Sequence, residues 1–513
     1  MKRRTFFKAA AGGLLLPHVV SARIPAHNWN SCDFGAGPTA EDRLYQGPFP
    51  QYVPEAFIPD SEVVMTTTAS KEIVPNFGMG LTVYVSGDYW PMRTGEDSVE
   101  KYLEGLIKIP FVQSVYIRLN WCNIQSQPGK LEFPEAWKQA CAIAKKYGKR
   151  VAFRVMLENP DYPDPGMPKF LLEKVPYVAL KGEWKRKDRS YPKGFKMPRY
   201  DLPAYQTAFI ELNEMLANEF NGHPDVEYVD AFMYGFWGEG HTWPFTRHPF
   251  PDDATAEQTW VRMFETQLRC WTKTPLVTNT QPDWSRVGNS ELVARTIRSN
   301  NWLRTDSIFV ENEQIEALSN RPSWIAAISE AGMTTGDPKA LRMDEGVTAN
   351  ENIIQHVMDI GANYWSVWNW HNISARHILS YYHEFPAPID TLARRIGYRV
   401  RPAWIWSFNK DGTPGLVIGL VNNGISDVPG ILRLTLSSPD GRFRVGGSLD
   451  AGYPKTRGVR QAMLMLPKGT NWKGLRLSAE LEVKGVSYPV RWACQQKVND
   501  DGSLTLRPTI GVS

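Results

Sequence analysis

Two carboxylates stand where an apolar run ends in a glycine-rich or small-residue turn. In VDAFMYGFWGEGHTWP (229–244) Glu239 lies between two glycines, among Trp237, His241 and Trp243, and in WIAAISEAGM (324–333) Glu330 closes a second run. A pair of carboxyl groups held about 5 to 5.5 Å apart can divide the work of breaking an acetal: one gives a proton to the leaving oxygen while the other attacks the carbon. The proton donor must keep its proton at neutral pH, which partial burial of Glu239 beside Trp237 would favour. The glycines flanking Glu239 are expected to leave room for a substrate to approach the backbone. Glu311 and Glu158, each at the end of another apolar run, are alternatives for the second carboxylate.

Positioning such a pair requires a frame. Short β-type runs recur along the chain at 78–85, 113–119, 150–156, 226–235, 275–280, 306–310, 324–329 and 361–368, separated by helical patterns such as EAWKQACAIAKKY (135–147). Eight strands alternating with helices over about 300 residues predict an α/β fold of the (β/α)8 barrel type, a TIM barrel. Catalytic side chains of such barrels sit at the C-terminal ends of the strands. That rule selects Arg118 and Asn120 after the second run, Arg154 after the third, Trp237, Glu239 and His241 after the fourth, Glu330 after the seventh, and Asn369 and His371 after the eighth. Arg118 and Arg154 would orient the carboxylates and keep them ionised, or touch substrate. Trp365, Trp368 and Trp370 recur along the eighth run, and at least one is expected as a flat platform for a sugar ring. His241 and His371 read as hydrogen-bonded walls, because no HxH or HExxH spacing accompanies them; no metal and no organic cofactor is expected.

The motifs PNFGMG (75–80), IRLNWCNIQSQPGKLEF (117–133), GKRVAFRVM (148–156), YGFWGEGH (234–241) and NYWSVWNWHN (363–372) extend across the predicted barrel. In them the chain resembles the glycoside-hydrolase-like barrels related to the family 42 β-galactosidases, and more closely the DUF4832-type bacterial proteins. The resemblance implies hydrolysis of a glycosidic bond, with Glu239 at the acid/base position after strand 4 and Glu330 at the nucleophile position after strand 7. Two departures stand out. Gly238 occupies the place of the clan's customary Asn, and the family's W-x-x-(I/L)-E-P motif has become Trp121, Cys122, Asn123, Ile124, Gln125 and Ser126.

The first 22 residues, MKRRTFFKAAAGGLLLPHVVSA, have a basic start, a short apolar middle and small residues near Ala22. Arg3 and Arg4 followed by Thr5, Phe6, Phe7 and Lys8 resemble a twin-arginine export signal, which implies a periplasmic or secreted protein. Residues 23–70 read as an extended lead-in, 71–401 as the barrel, and 402–513, with alternating strands and Gly/Pro/Asp turns, as an antiparallel β-sandwich. The formal charge of +4 over 513 residues includes Lys2, Arg3, Arg4 and Lys8, so the remainder is close to neutral and nucleic acid is not an expected partner. Nor is a membrane expected to hold the protein after export. The 5 cysteines are scattered without a CxxC pair, which suggests neither a zinc site nor a disulfide framework. The 19 Trp, 20 Tyr and 22 Phe suit a bulky core and equally a sugar-binding cleft. A carbohydrate is therefore the expected partner. The loop KGEWKRKDRSYPKGFK (181–196), with its excess of basic residues, reads as a solvated loop or as a positive rim for an acidic or sulfated polysaccharide.

Overall fold

The computed structural model describes residues 62–88, 98–160, 162, 165–181, 195–242, 247–280, 290–307, 312–330, 349–367 and 373–508. Strand β1 (Glu62–Thr66) is followed by β2 (Gly80–Ser86), β3 (Ser114–Asn120) and β4 (Arg150–Met156). A small hairpin, β5 (Tyr177–Ala179) with β6 (Lys196–Pro198), precedes β7 (Val226–Asp230), β8 (Leu276–Asn279), β9 (Trp302–Ser307), β10 (Ala327–Glu330) and β11 (Tyr364–Ser366). Strands β2, β3, β4, β7, β8, β9, β10 and β11 pair in parallel in that order and close with β11 on β2, forming an eight-stranded barrel.

Both faces of these strands are buried, each by a different partner. In β2, Leu81, Val83 and Val85 face the surrounding helices, while Thr82 and Tyr84 point inward. The same period of two puts Val115, Ile117 and Leu119 of β3 outside and Tyr116 and Arg118 inside. The helices meet the strands with matching stripes: the helix Glu135–Lys146 buries Trp137, Ala140, Ile143 and Ala144, a spacing of three and four residues. The helix Asp253–Cys270 starts at Asp252, whose side chain accepts the Thr255 amide at 2.7 Å.

The C-terminal region is two antiparallel sheets. Strands β12 (Val400–Lys410), β13 (Thr413–Asn422) and β16 (Val459–Met465) form one sheet, with β1 on its edge. Strands β14 (Ile431–Ser437), β15 (Arg444–Ser448), β17 (Arg476–Val483), β18 (Val486–Val490) and β19 (Leu504–Thr505) form the other. Residues 62–66 of the region read as an extended lead-in are thus an edge strand of this sandwich, paired from Glu62↔Ser407 to Thr66↔Trp404.

The sandwich docks against the N-terminal end of the barrel. Phe77 stacks flat on Tyr488, with centroids 3.5 Å apart, and Lys484 donates from Nζ to Trp271 O at 2.9 Å and to Asn301 Oδ1 at 2.6 Å. Gly397, at φ +70°, lets the chain pass so close to Met79 that a Cβ there would lie 2.2 Å from the Met79 Cβ. Among the described residues no helix is long and apolar enough to cross a membrane, and Cys122, Cys141, Cys270 and Cys494 form no disulfide with one another.

Two strand boundaries differ from the sequence reading, with consequences for the site. β7 ends at Asp230 rather than running to 235, because the chain leaves the barrel there for a series of turns. β9 spans Trp302–Ser307, beginning earlier than the expected 306–310.

Candidate active site

Inward-facing residues at the top of the barrel form one charged network. Arg118 on β3 donates from Nη2 to Glu330 Oε1 at 2.7 Å and lies over the Tyr84 ring, 4.8 Å from its centroid. Arg154 on β4 reaches Glu239 Oε1 at 2.5 Å and Asp230 Oδ2 at 3.3 Å from the same nitrogen, Nη1. Arg304 on β9 grips Asp230 Oδ1 through Nε at 2.9 Å and Glu239 Oε1 through Nη2 at 2.5 Å, and places Nη1 3.7 Å from Glu330 Oε2. The Tyr116 hydroxyl donates to Asp230 Oδ2 at 2.5 Å. One guanidinium, Arg304, therefore spans both glutamates. Their oxygens lie within a guanidinium's width plus two contacts, inside the roughly 9.5 Å limit of glycosidase carboxylate pairs.

Glu239 reaches this place by a turn that only glycines accommodate. Gly235, Gly238 and Gly240 have φ of 85°, 76° and 83°, and Trp237 itself has φ 55°. The amides of Met233 and Gly240 bond to the carbonyls of Gly238 and Tyr234 at 2.9 Å each, folding the segment back over the barrel. At Gly235 an added Cβ would lie 2.6 Å from the His241 nitrogen. The glycines serve the turn by taking up its left-handed positions. A non-glycine residue in the left-handed region costs energy and persists where surrounding structure enforces it. Trp237 is held there by its amide bond to Glu158 O at 2.8 Å, with its ring edge-on to His241 at 5.2 Å.

The two glutamates differ in charge state. Burial pushes the Glu239 carboxyl up, but Arg154, Arg304 and a bond from His241 Nε2 at 3.1 Å outweigh it and hold the carboxyl well below the usual carboxylate range. Burial raises Glu330, and the neighbouring Asp306 and Glu239 carboxylates add to that against Arg118 and Arg304, so its carboxyl lies above the usual range. The expectation of a proton-bearing Glu239 is thereby reversed, because the guanidiniums converge on Glu239. Glu330 is also the more open, with 12% of its side chain exposed against 6% for Glu239. Three guanidiniums, those of Arg118, Arg154 and Arg304, meet the carboxyl groups of Asp230, Glu239 and Glu330, and the His241 imidazole lies between Glu239 and Asp306.

The other sequence candidates are dispersed. Asn120, at the end of β3, is buried; its amide donates to Asp88 Oδ2 and its Oδ1 accepts from Asn159 Nδ2 at 3.0 Å. Glu158 turns away from the arginines, accepting the Tyr177 hydroxyl at 2.5 Å and the Gly166 amide at 3.3 Å, and burial pushes it up to about 8. Trp365 does not line the mouth: it is fully buried between β11 and the helices, because Tyr364 and Ser366 take the inward positions. Trp243, Glu311, Trp368, Asn369, Trp370, His371 and residues 182–194 of the basic loop lie outside the described residues.

Asp230, Arg304, Asp306 and Tyr116 are members of the network that sequence reasoning passed over. The alternation in VEYVD (226–230) and WLRTD (302–306) carries the signal: Tyr228 and Asp230, and Trp302 and Arg304, share the inward face. Glu239, His241 and Asp306 also offer ligand atoms all within 4.8 Å of one another, a set of two carboxylates and an imidazole that suits a divalent cation. Arg154 and Arg304 already supply positive charge to the first of those carboxylates.

No protein-family model matches the chain, and no curated protein matches it by sequence. Among solved structures, the catalytic domain of β-amylase from Paenibacillus polymyxa is similar at 9% identity, over 60% of this chain and 97% of that one, with a TM-score of 0.38. A trimodular endoglucanase of glycoside hydrolase subfamily 5_4 has 11% identity over 82% of this chain and 79% of its own, also at 0.38. The β-galactosidase from Marinomonas ef1 has 13% identity over 57% and 54%, at 0.35.

Proposed function

We propose that this chain is an exported glycoside hydrolase acting on a poly- or oligosaccharide. The observation that carries the reading is a pair of glutamates after the fourth and seventh barrel strands, spanned by Arg304 and shifted in opposite directions. Opposed shifts are what a two-carboxylate mechanism uses, one group protonated and the other ionised. In the retaining form, the Glu330 proton passes to the glycosidic oxygen as Glu239 forms a bond to the anomeric carbon and the leaving sugar departs. Glu330, now ionised, takes a proton from water, and the resulting hydroxide displaces Glu239. The family resemblance assigns these two roles the other way round, and the charge pattern favours Glu330 as the acid and Glu239 as the nucleophile.

A second reading has its own observation. Both oxygens of Glu239 are engaged, Oε1 by two guanidiniums and Oε2 by His241, which also suits a barrel that binds carbohydrate without cleaving it. One experiment decides. Wild type, Glu239→Gln and Glu330→Gln are screened against neutral and sulfated glycans and against dinitrophenyl glycosides, whose leaving group needs no proton. Glu330→Gln is expected to lose roughly 10²–10⁴-fold on natural glycans and, on dinitrophenyl substrates, to keep a fast first-turnover burst followed by slow deglycosylation that azide rescues, and Glu239→Gln to lose both phases. Full activity in both variants would sink the assignment, and binding without turnover in wild type would select the second reading.

A further inference from the structure

Beside the carboxylate pair lies a polar ring that the hydrolytic steps do not use. Asp88, two residues past the end of β2, accepts the Asn120 backbone amide and Asn123 Nδ2 (3.3 Å) on Oδ2, while Oδ1 accepts the Ser86 hydroxyl, at 3.3 Å. Asn123 exchanges hydrogen bonds with the Tyr162 hydroxyl, 3.1 Å from its Nδ2 and 3.2 Å from its Oδ1. Asp88, Asn123 and Tyr162 are half-buried. Behind them, Asn120 is fully buried, and its side chain as well as its backbone amide bears on the Asp88 carboxylate. The ring adjoins the charged network through β3: Asn120 follows Arg118 by two residues, about 7 Å along the strand, and Arg118 holds Glu330.

Resting on the glycosidase reading, we infer that Asp88, Asn123 and Tyr162 form a subsite for the hydroxyl groups of an uncharged sugar ring adjacent to the bond cleaved. A carboxylate oxygen with spare acceptor capacity, an amide and a phenol offer the mixed acceptors and donors that a polyol requires. Among the described residues of the ring there is no cation, and the charged group is a carboxylate. A uronic acid or sulfate placed there would face the Asp88 carboxylate with no cation among the described ring residues to offset it, so the subsite selects against acidic sugars. Burial outweighs the hydrogen bonds that lower the Asp88 carboxyl and brings it to about 6, so it is mostly ionised at neutral pH.

The test titrates cello-, manno- and galacto-trisaccharides and a trigalacturonate into the Glu330→Gln protein, alone and combined with Asp88→Asn or Tyr162→Phe. At least one neutral trisaccharide is expected to bind, more tightly than trigalacturonate, and each added substitution to weaken it roughly 10- to 100-fold with thermal unfolding unchanged for Tyr162→Phe. Trigalacturonate binding as tightly as the best neutral sugar, binding unchanged by Tyr162→Phe, or no neutral trisaccharide binding at all would each overturn the inference. Neutral-sugar binding that depends on Asp88 and Tyr162, in a wild type that hydrolyses nothing, would sink the hydrolase reading and leave the subsite standing.

Discussion

Arg304→Met removes one buried guanidinium from the charged network, and its cost follows from the bonds which that guanidinium makes. It holds Asp230 at 2.9 Å, Glu239 at 2.5 Å and the Thr305 carbonyl at 2.9 Å, and approaches Glu330 at longer range. Removing one partner of a buried ion pair costs about 3–5 kcal/mol, because the other charge stays buried. Arg154 and Tyr116 still hold Asp230, and Arg154 and His241 still hold Glu239, so the lower end, about 3 kcal/mol, is expected at pH 7.5. The sign with pH follows. Glu239 is depressed in the wild type, and losing Arg304 raises its folded value, so the variant takes up a proton on Glu239 more readily than wild type as pH falls. The stability gap should therefore narrow as pH falls to about 4, below the ordinary carboxylate value of 4.5. Urea unfolding at both pH values measures it, and a cycle with Glu239→Gln should return a coupling of about 1–3 kcal/mol. A variant within about 1 kcal/mol of wild type at pH 7.5, or an additive cycle, would refute the claim that these charges form one network.

Other outcomes follow from single residues. Glu158, raised from 4.5 to about 8 by burial, holds a proton when folded that it releases when unfolded between those values. Its contribution to stability is full below pH 4.5 and lost as pH rises through 8, so Glu158→Gln should flatten the fall in unfolding free energy between pH 5 and 8.5 by up to about 1.4 kcal/mol per pH unit. Parallel urea-melt profiles for wild type and variant would refute this. On β13, a Cβ on Gly419 would lie 2.1 Å from the Trp404 ring, so Gly419→Ala should cost about 1–3 kcal/mol in thermal unfolding. Gly105→Ala, in the helix Val99–Ile107 with its nearest neighbour at 3.4 Å, should be neutral or stabilising.

The barrel is legible because its signal is local. Eight apolar runs with helices between them state the strand count, and alternation within each run states which side chains face the axis. Errors in run boundaries then propagate into the site. Extending the fourth run to 235 hides Asp230 inside a strand, and starting the sixth at 306 excludes Arg304, although both residues follow the same alternation as Tyr228 and Trp302. Trp365 shows the opposite fault. Its residue type suggests a sugar platform, while the positions of Tyr364 and Ser366 assign it to the helix side. The charge state of Glu239 depends on two arginines, 85 and 65 positions away in sequence, converging on one oxygen, which no local pattern encodes.

Asp230 explains why the network can be rigid before a ligand arrives. Arg154 and Arg304 come from β4 and β9, on either side of β7 and β8, and like charges so placed would repel and spread. Asp230, at the end of β7 between them, accepts from both and from Tyr116, which fixes each guanidinium where it also meets Glu239. A carboxylate fixed by preset donors needs little reorganisation when charge develops near it, and this is the form in which electrostatic stabilisation is strongest. The same fixation denies Glu239 a resting proton. Glu330, with its Arg304 contact at 3.7 Å on one oxygen and its carboxyl raised by burial, is the one of the two glutamates that the proposed mechanism can use as proton donor.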